Sequence, residues 1–267
     1  MSTYGGITLM DGPGVDAPVN RLGQVYQELA GSRPPANRRT DMALMLTRLA
    51  MWYARRAQRR RGRLFLDQMR PRPEETILDL GSFDGSHMAG LLPSHRKVIA
   101  ADILPEPLAT ARTRYGYETL LLDESGRLPF PDQSIDIIFC SAVIEHATVD
   151  KERIRVFRSN RAFRKEALVR QRRMADEIRR VGRRYFVQTP HKYFIVESHT
   201  WLPLPIVLLP RPWQLRTIDF FNRWWPKKTS ADFNLLTTRD MARLFPDAEI
   251  VAERSLGLTK SVIAVRR

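Results

Sequence analysis

The feature that most constrains the fold is a unit repeated in the first half of the chain, a short apolar segment that closes at an aspartate. The three units are residues 76–80 with Asp79, 97–103 with Asp102, and 117–123 with Asp123. Helix-forming sequence separates them, and one such helix begins at Pro105 and ends at Gly116. Strands that alternate with helices predict a parallel sheet covered on both faces. The acids then fall at the carboxyl edge of the sheet, where open α/β folds bind their ligands.

The second half of the chain extends this sheet. Further strands are predicted at residues 135–140, 183–190, 248–257 and 259–266. The last two are adjacent and favour an antiparallel pair that closes the sheet, preceded by a helix with Thr237 and Asp240 in a capping box. The predicted fold is α/β: a Rossmann-like, seven-stranded, mostly parallel sheet with helices on both faces and the last strand antiparallel.

The domain organisation predicted from composition is one domain with additions. Residues 1–40 are rich in glycine, proline and polar residues and are expected to be a flexible N-terminal segment. A single domain is expected over 41–267, beginning with an N-terminal helix at 41–69. Within it we expect a basic helical insertion at 151–182 and, after the fifth strand, an aromatic and proline-rich lid at 191–234.

The charge of the chain favours anionic partners. The formal net charge is +15, with 37 arginines and 7 lysines among the 44 basic residues. Residues 33–64 hold ten arginines and one acid, and residues 151–184 hold fourteen basic residues and four acids. Such segments suit nucleic acid, anionic lipid or phosphorylated substrates, although most charge runs are solvated helix faces. The basic segments lack interleaved aromatic residues that would stack on bases, so nucleic acid is the less favoured partner.

The sequence predicts a cytoplasmic protein, with peripheral contact at the inner membrane surface as a second expectation. No segment approaches the roughly 20 apolar residues that span a bilayer, and the best candidate, Trp201–Pro210, has about half that length and three prolines. The N-terminus lacks the basic start and apolar run of a secretion signal. The single cysteine, Cys140, excludes an internal disulfide and a multi-cysteine zinc site, and no metal is expected.

The first loop, in "ILDLGSFDGS" (residues 77–86), suits a cofactor without phosphate. A dinucleotide turn needs glycines where the backbone meets a pyrophosphate, but Phe83 lies between Gly81 and Gly85. No Gly-Lys-Ser/Thr follows, which excludes a P-loop. A cofactor without phosphate needs only close approach near Gly81, a tight turn, and an acid for an ammonium group.

At these positions the chain resembles the class I S-adenosylmethionine-dependent methyltransferases of the broad type 11 group. The resemblance is carried by "ILDLGSFDG", Asp102, Asp123, "LPFPDQSIDIIFCSAVIEH", "RRYFVQTPHKYF" and "GLTKSVIAVR". It covers residues 73–190 and 235–267. None of these motifs is specific alone, but the first five, in this order and with matching strands, are specific together, and the terminal segment also fits the closing strand pair.

The resemblance implies S-adenosyl-L-methionine as cofactor and assigns roles to the strand ends. Cofactor-binding residues are expected at Asp79, Gly81, Ser82, Phe83, Gly85, Asp102, Ile103, Asp123, Glu124 and Ser141. Asp79 would hold the amino group, Asp102 the ribose hydroxyls and Asp123 the adenine, with Ser141 near the transferring methyl. The plainer alternative is that Asp79 is a helix cap and the other two acids are ordinary loop residues.

The expected activity is methyl transfer to a small, sugar-linked or lipid-linked acceptor at oxygen. An RNA methyltransferase and a catalytically silent cofactor-binding protein are the alternatives. An alcohol acceptor benefits from a general base, for which His146, His191 and His199 are the candidates. Glu197 lies two residues before His199 and would orient it, although "VESHT" is also typical of a plain turn. Cys140 is expected to be a buried strand residue and not a nucleophile.

The aromatic segments "WLPLPIVLLPRPW" and "FFNRWWPKK" leave three interpretations open. They would form a substrate pocket, a dimer contact, or an interfacial membrane anchor. Tryptophan with lysine and arginine beside apolar residues suits a membrane interface, whereas burial against the protein's own core is the more usual outcome. The expected partners are therefore a small-molecule or lipid- or sugar-linked substrate and a peripheral membrane surface, with the oligomeric state left open.

Overall fold

The computed structural model describes residues 56, 59–123, 125–194, 206, 209–223, 230–255 and 257–267. The segment 1–40, most of the predicted helix at 41–69, and the site candidates Glu124, Glu197 and His199 lie outside the described residues.

Seven strands form one sheet in the order β3-β2-β1-β4-β5-β7-β6. The strands are β1 (Ile77–Leu80), β2 (Val98–Asp102), β3 (Glu118–Leu121), β4 (Ile135–Ser141), β5 (Gly182–Pro190), β6 (Glu249–Ser255) and β7 (Leu258–Arg266). The first five pair in parallel, and β7 runs antiparallel to both β5 and β6. The predicted Rossmann-like fold is confirmed, including the antiparallel last strand.

Six described helices accompany the sheet. They are α1 (residues 59–69), α2 (Ser86–Leu91), α3 (Pro105–Tyr115), α4 (Asn160–Val181), α5 (Arg211–Phe221) and α6 (Thr238–Leu244), with 3₁₀ turns at Ile144–His146 and Lys151–Arg153. Helix α3 begins at Pro105 and is capped by Gly116 in the left-handed region, as its sequence predicts. Helix α6 carries the predicted capping box, in which Thr237 and Asp240 each accept the other's backbone N–H.

The core has two layers because the strands present alternate side chains to opposite faces of the sheet. On one face, α1, α2 and α3 pack against the sheet through Phe65, Met88 and Leu108. On the other, α4 and α6 pack through Ile178 and Met241. Both faces of the sheet are therefore covered, and its carboxyl edge is where the loops gather. No helix within the described ranges is both long and apolar enough to cross a bilayer.

Helix α4 uses much of its positive charge for internal contacts. At least eight basic residues between 151 and 184 form ion pairs: Arg153, Arg155, Arg164, Arg170, Arg179, Arg180, Arg183 and Arg184. The Arg164 guanidinium lies 2.7 Å from Asp240 of α6, and Arg170 lies 2.6 Å from Asp150. The pairs of Arg164, Arg170 and Arg179 connect α4 to its neighbours. The net charge of residues 151–184 therefore overstates the charge that this segment presents to a partner.

Candidate functional site

The loop after β1 brings its backbone close to two neighbouring strands. The N–H groups of Gly81 and Ser82 donate to the Ala101 carbonyl of β2, at 2.8 Å and 3.0 Å. Gly81 has φ of 78°, and a Cβ placed on it would lie 2.2 Å from the Val143 side chain in the loop after β4. Only glycine fits both this conformation and this approach. The first loop is therefore packed tightly between the end of β2 and the loop that follows β4.

Phe83 forms the turn without the glycine that is common at its position. Its backbone is left-handed, with φ of 54°, which costs a bulky residue about 1 kcal/mol or more. Its N–H donates to Asp102 Oδ2 at 2.8 Å, and this charge-assisted bond offsets the strain. Phe83 is 40% exposed at the carboxyl edge of the sheet. The turn is thus intact, with the phenyl ring on its outer side.

Asp79 is a buried carboxyl group with capacity for a further partner. Its side chain is 3% exposed, and Oδ2 accepts no hydrogen bond from any described residue. Burial, together with the nearby charge of Asp102, raises the pKa of Asp79 to about 7. A buried carboxylate oxygen without a hydrogen bond is unfavourable, and an arriving ammonium group would relieve this cost. The position therefore fits the amino group of an amino-acid-like cofactor.

Asp102 joins the first two loops and keeps acceptor capacity. Its Oδ2 accepts the Phe83 N–H, and its Oδ1 accepts the Leu104 N–H at 3.1 Å. Each carboxylate oxygen can accept a second bond, so both can also take a hydroxyl. Beside it, Ile103 is 58% exposed and Leu121, at the end of β3, is also 58% exposed. An acid with two remaining acceptor positions next to apolar surface fits a ribose and its attached base.

Asp123 and Ser141 have local partners in the structure. Asp123 is exposed and accepts the backbone N–H of Ser125 at 3.0 Å, and bonds to Ser125 lower the pKa of its carboxyl group. It therefore holds a turn beyond β3. Ser141 ends β4 and donates to Gln188 Oε1 of β5 at 2.8 Å. Both side chains lie at the carboxyl edge, but no described contact joins either of them to Asp79 or Asp102.

His146 is paired with an acid that the sequence did not reveal. It ends the 3₁₀ turn after β4, and its Nδ1 lies 3.2 Å from Asp232 Oδ1. The two side chains are 38% and 20% exposed. The Asp232 carbonyl also accepts a hydrogen bond from Thr148 Oγ1. The structure thus forms a histidine–carboxylate pair at the carboxyl edge, while the predicted pair Glu197 and His199 is outside the described residues.

A buried polar network holds the turn that carries His146. Gln171 Nε2 of α4 donates to the Ile144 carbonyl at 3.0 Å and to the Asn234 carbonyl at 2.9 Å. The Asn234 N–H donates to the Glu145 carbonyl at 2.8 Å, and Thr189 Oγ1 donates to Glu145 Oε2 at 3.0 Å. The roles of Gln171, Asn234, Glu145 and Thr189 in this network were not predicted. The sequence contains one indication of a buried role for Gln171, because it is a polar residue on the apolar stripe of α4, four residues after Ala167.

Cys140 is fully buried in β4, as predicted. Burial, with the charges of Glu145 and Asp79, raises the pKa of its thiol far above the usual range. The thiol therefore stays protonated, which makes it unsuited to act as a nucleophile.

The part of the chain that carries the first loops of this edge matches a known protein family. Residues 78–165 match the type 11 family, described as a methyltransferase domain. No curated protein matches the chain. Among solved structures, a chain of the complex between the Haloferax volcanii Trm112 methyltransferase activator and a methyltransferase is 16% identical. That alignment covers 76% of this chain and 86% of that one, with a TM-score of 0.50.

Two further solved structures were matched at lower TM-scores. The magnesium protoporphyrin IX methyltransferase of Synechocystis, with bound S-adenosylhomocysteine, is 13% identical; the match covers 93% of this chain and 96% of that one, with a TM-score of 0.44. The geranyl diphosphate C-methyltransferase of Streptomyces coelicolor is 12% identical over 81% and 82% of the chains, with a TM-score of 0.49. Residues 78–165 therefore match a methyltransferase domain family, and the seven-stranded sheet has the Rossmann-like class I methyltransferase fold; both support S-adenosyl-L-methionine as the cofactor.

Proposed function

We propose that the chain transfers a methyl group to an oxygen atom of a small, sugar-linked or lipid-linked acceptor, with His146 as general base. The observation that carries the proposal is the 3.2 Å contact between His146 Nδ1 and Asp232 Oδ1 at the carboxyl edge. A histidine oriented by a carboxylate suits deprotonation of a hydroxyl group, which an oxygen acceptor needs and a more nucleophilic acceptor does not.

The residues that would hold the cofactor are those around the first two loops. Asp79 would pair with its amino group, Gly81 and Ser82 would allow its close approach, and both oxygens of Asp102 would accept its ribose hydroxyls. When bound, S-adenosyl-L-methionine supplies an electrophilic methyl group on a positively charged sulfur. The tight packing of Gly81 against Val143 favours a fixed geometry in a displacement that depends on positioning.

The His146–Asp232 pair would act on the acceptor. A bond from the Nδ1–H to Asp232 selects the tautomer whose basic lone pair is on Nε2. That nitrogen would take the hydroxyl proton as the acceptor oxygen attacks the methyl carbon, and Asp232 would stabilise the resulting imidazolium. The bonds of Gln171 and Asn234 to the turn reduce the freedom of His146, which favours a prepared base.

The segment that carries Asp232 is anchored in the protein core. A buried cluster of Val149, Ile154, Phe163, Ile218 and Phe233 adjoins it and fixes its position. The ion pairs of α4 leave fewer cations for a nucleic-acid backbone.

The Asp79 carboxyl group predicts a pH dependence of cofactor affinity. Below about pH 7 this buried group is mostly neutral, so binding of an ammonium group must first ionise it. Calorimetric titration with S-adenosylhomocysteine should show affinity rising about tenfold per pH unit up to about pH 7 and then levelling. Asp79→Asn should abolish the dependence and weaken binding at high pH. An unchanged pH profile in the variant would remove Asp79 from the site.

The same raised pKa predicts the opposite trend for stability of the free protein. A carboxyl group whose pKa is higher in the folded state contributes stability that is complete at low pH and is lost as the pH rises through about 7. Asp79→Asn should therefore stabilise the free protein at high pH relative to the parent. Chemical denaturation at about pH 5 and about pH 8 measures this difference.

The experiment that tests the proposed function follows the methyl group into a cell lysate. Purified protein is incubated with isotope-labelled S-adenosyl-L-methionine and lysate, and the products are separated into lipid, small-molecule, RNA and protein fractions. Label in the lipid or small-molecule fraction, on oxygen, is expected. Label in RNA would establish the RNA alternative, and cofactor binding without transfer to any fraction would establish a silent binding protein.

A further inference from the structure

The outer face of α5 carries apolar and basic residues at helical spacing. Leu209, just before the helix, is 37% exposed, and Trp213 and Phe220 are 59% and 55% exposed. Arg216 and Arg223 are exposed as well, and the Arg216 guanidinium lies 5.7 Å from the centre of the Trp213 ring. Within the helix, the spacing of three and four residues puts Trp213, Arg216 and Phe220 on one stripe. Leu209 and Arg223 flank the two ends of the helix, and these five residues are named the α5 outer face.

The opposite side of α5 is firmly packed. Arg211, Gln214 and Ile218 are buried. The Arg211 guanidinium lies 3.8 Å from the centre of the Phe163 ring, and its Nη2 donates to the Ala231 carbonyl at 2.7 Å. The helix is thus anchored through one side, and the large apolar residues on the other side are not there to fill the core.

The charge of the α5 outer face is mainly positive. Asp219 is the acid of the helix; Arg155 binds it through two bonds of 2.7 Å and 2.9 Å, and Arg223 also interacts with it. The α5 outer face presents Arg216 and Arg223 beside aromatic rings. Large aromatic residues with arginines on one helical face are typical of helices that lie in the interface of an anionic bilayer.

We propose that the α5 outer face docks on the surface of an anionic phospholipid bilayer. The tryptophan and phenylalanine rings would enter the headgroup region, and the arginines would contact lipid phosphates. A second copy of this chain is the less suitable occupant, because it brings the same stripe and the same formal charge of +15. RNA would pair with the arginines but would leave Leu209 and Phe220 without an apolar environment.

Docking would bring the acceptor site to the membrane. The Arg211 bond joins α5 to Ala231, the residue before Asp232, and Asp232 contacts His146. The pair is therefore connected to the docking helix through one short segment. In this respect the inference rests on the proposed function, and it narrows the acceptor to a molecule that resides in or at a lipid surface. The docking itself requires no methyl transfer.

The test is co-sedimentation with vesicles, without cofactor. Vesicles of phosphatidylcholine with about a third phosphatidylglycerol should bind the protein, and pure phosphatidylcholine should bind it much more weakly. The double variant W213A/F220A should lower the partition coefficient on the order of tenfold or more. The matched control V169A/L258A removes two apolar residues that are 49% and 41% exposed elsewhere and should leave binding unchanged.

A charge series separates local contact from general attraction. R216Q/R223Q should weaken binding about fivefold per arginine, whereas R172Q/R173Q, which removes two exposed arginines of α4, should have a clearly smaller effect. The loss in W213A/F220A should persist at high salt, and circular dichroism should show all variants folded. Docking is overturned if anionic vesicles are not bound, or if the control variants lose as much as the α5 variants.

Two other results would also overturn it. Sedimentation velocity in which W213A/F220A dissociates an oligomer while vesicle binding is unaffected would assign the face to a second copy. Loss of RNA retention in the same variant, with vesicle binding intact, would assign it to nucleic acid. Failure of the proposed function is distinguishable, because vesicle binding would remain while labelled methyl transfer is absent.

Discussion

Replacing His146 with alanine is expected to lower the rate of methyl transfer by about 10²–10⁴-fold, the range that general-base catalysis supplies. The imidazole is bonded through Nδ1 to Asp232 and stands on a turn held by buried polar contacts. Its removal takes away the proton acceptor and leaves the first two loops intact. Labelled transfer into the lysate fraction that accepts the methyl group measures the rate, and calorimetry should show cofactor affinity unchanged.

Two companion variants define the role of His146. Asp232→Asn should give a smaller loss of rate, because it keeps the shape of the pair but removes the charge that stabilises the imidazolium. His146→Gly should regain activity when imidazole is added. Full activity in His146→Ala would mean that the acceptor needs no base from this position, which would end the assignment.

Replacing Asp102 with alanine is expected to weaken binding of S-adenosylhomocysteine by at least about tenfold. The change removes two acceptors for hydroxyl groups, each worth about 1–3 kcal/mol when bonded to a charged group. It also removes the bond that offsets the left-handed conformation of Phe83. The first loop would then be less well ordered for its ligand, which adds to the loss.

Asp102→Ala has a charge-matched control in Glu106→Ala. Glu106 lies in the exposed first turn of α3, so its removal changes the net charge equally without touching the first two loops. Affinity in that variant should remain within about twofold, as for other exposed charges. Thermal unfolding of both variants separates loss of binding from loss of folding. Equal affinity for the parent and Asp102→Ala would remove the ribose assignment.

The fold was predictable because its information is local. Each apolar segment of four to nine residues is bounded by its own turn signals, and the Thr237–Asp240 cap and the Pro105 start are short-range patterns. The conformation of Phe83 was harder to predict from the sequence, because the hydrogen bond to Asp102 that supports it joins residues nineteen positions apart.

The candidate site also contains residues that local sequence marks and residues that only folding brings together. Asp79 and Asp102 could be named because each falls at the end of its own strand. Asp232 could not, because it lies 86 residues after His146 and only the folded chain brings the two together. Nothing in the sequence around Asp232 marks it as a partner of a histidine. The contacts of Asn234 with the same turn were hidden for the same physical reason.

The most direct test of the account is a crystal structure of the protein with S-adenosylhomocysteine. The ligand is expected at the carboxyl edge, with its amino group on Asp79, its ribose hydroxyls on Asp102 and its sulfur on the side of His146. Density for the ligand at the opposite edge, in the cleft lined by Arg70, Arg72 and Arg184, would contradict it. So would a protein crystallised at saturating ligand in which the first loop is unchanged and empty.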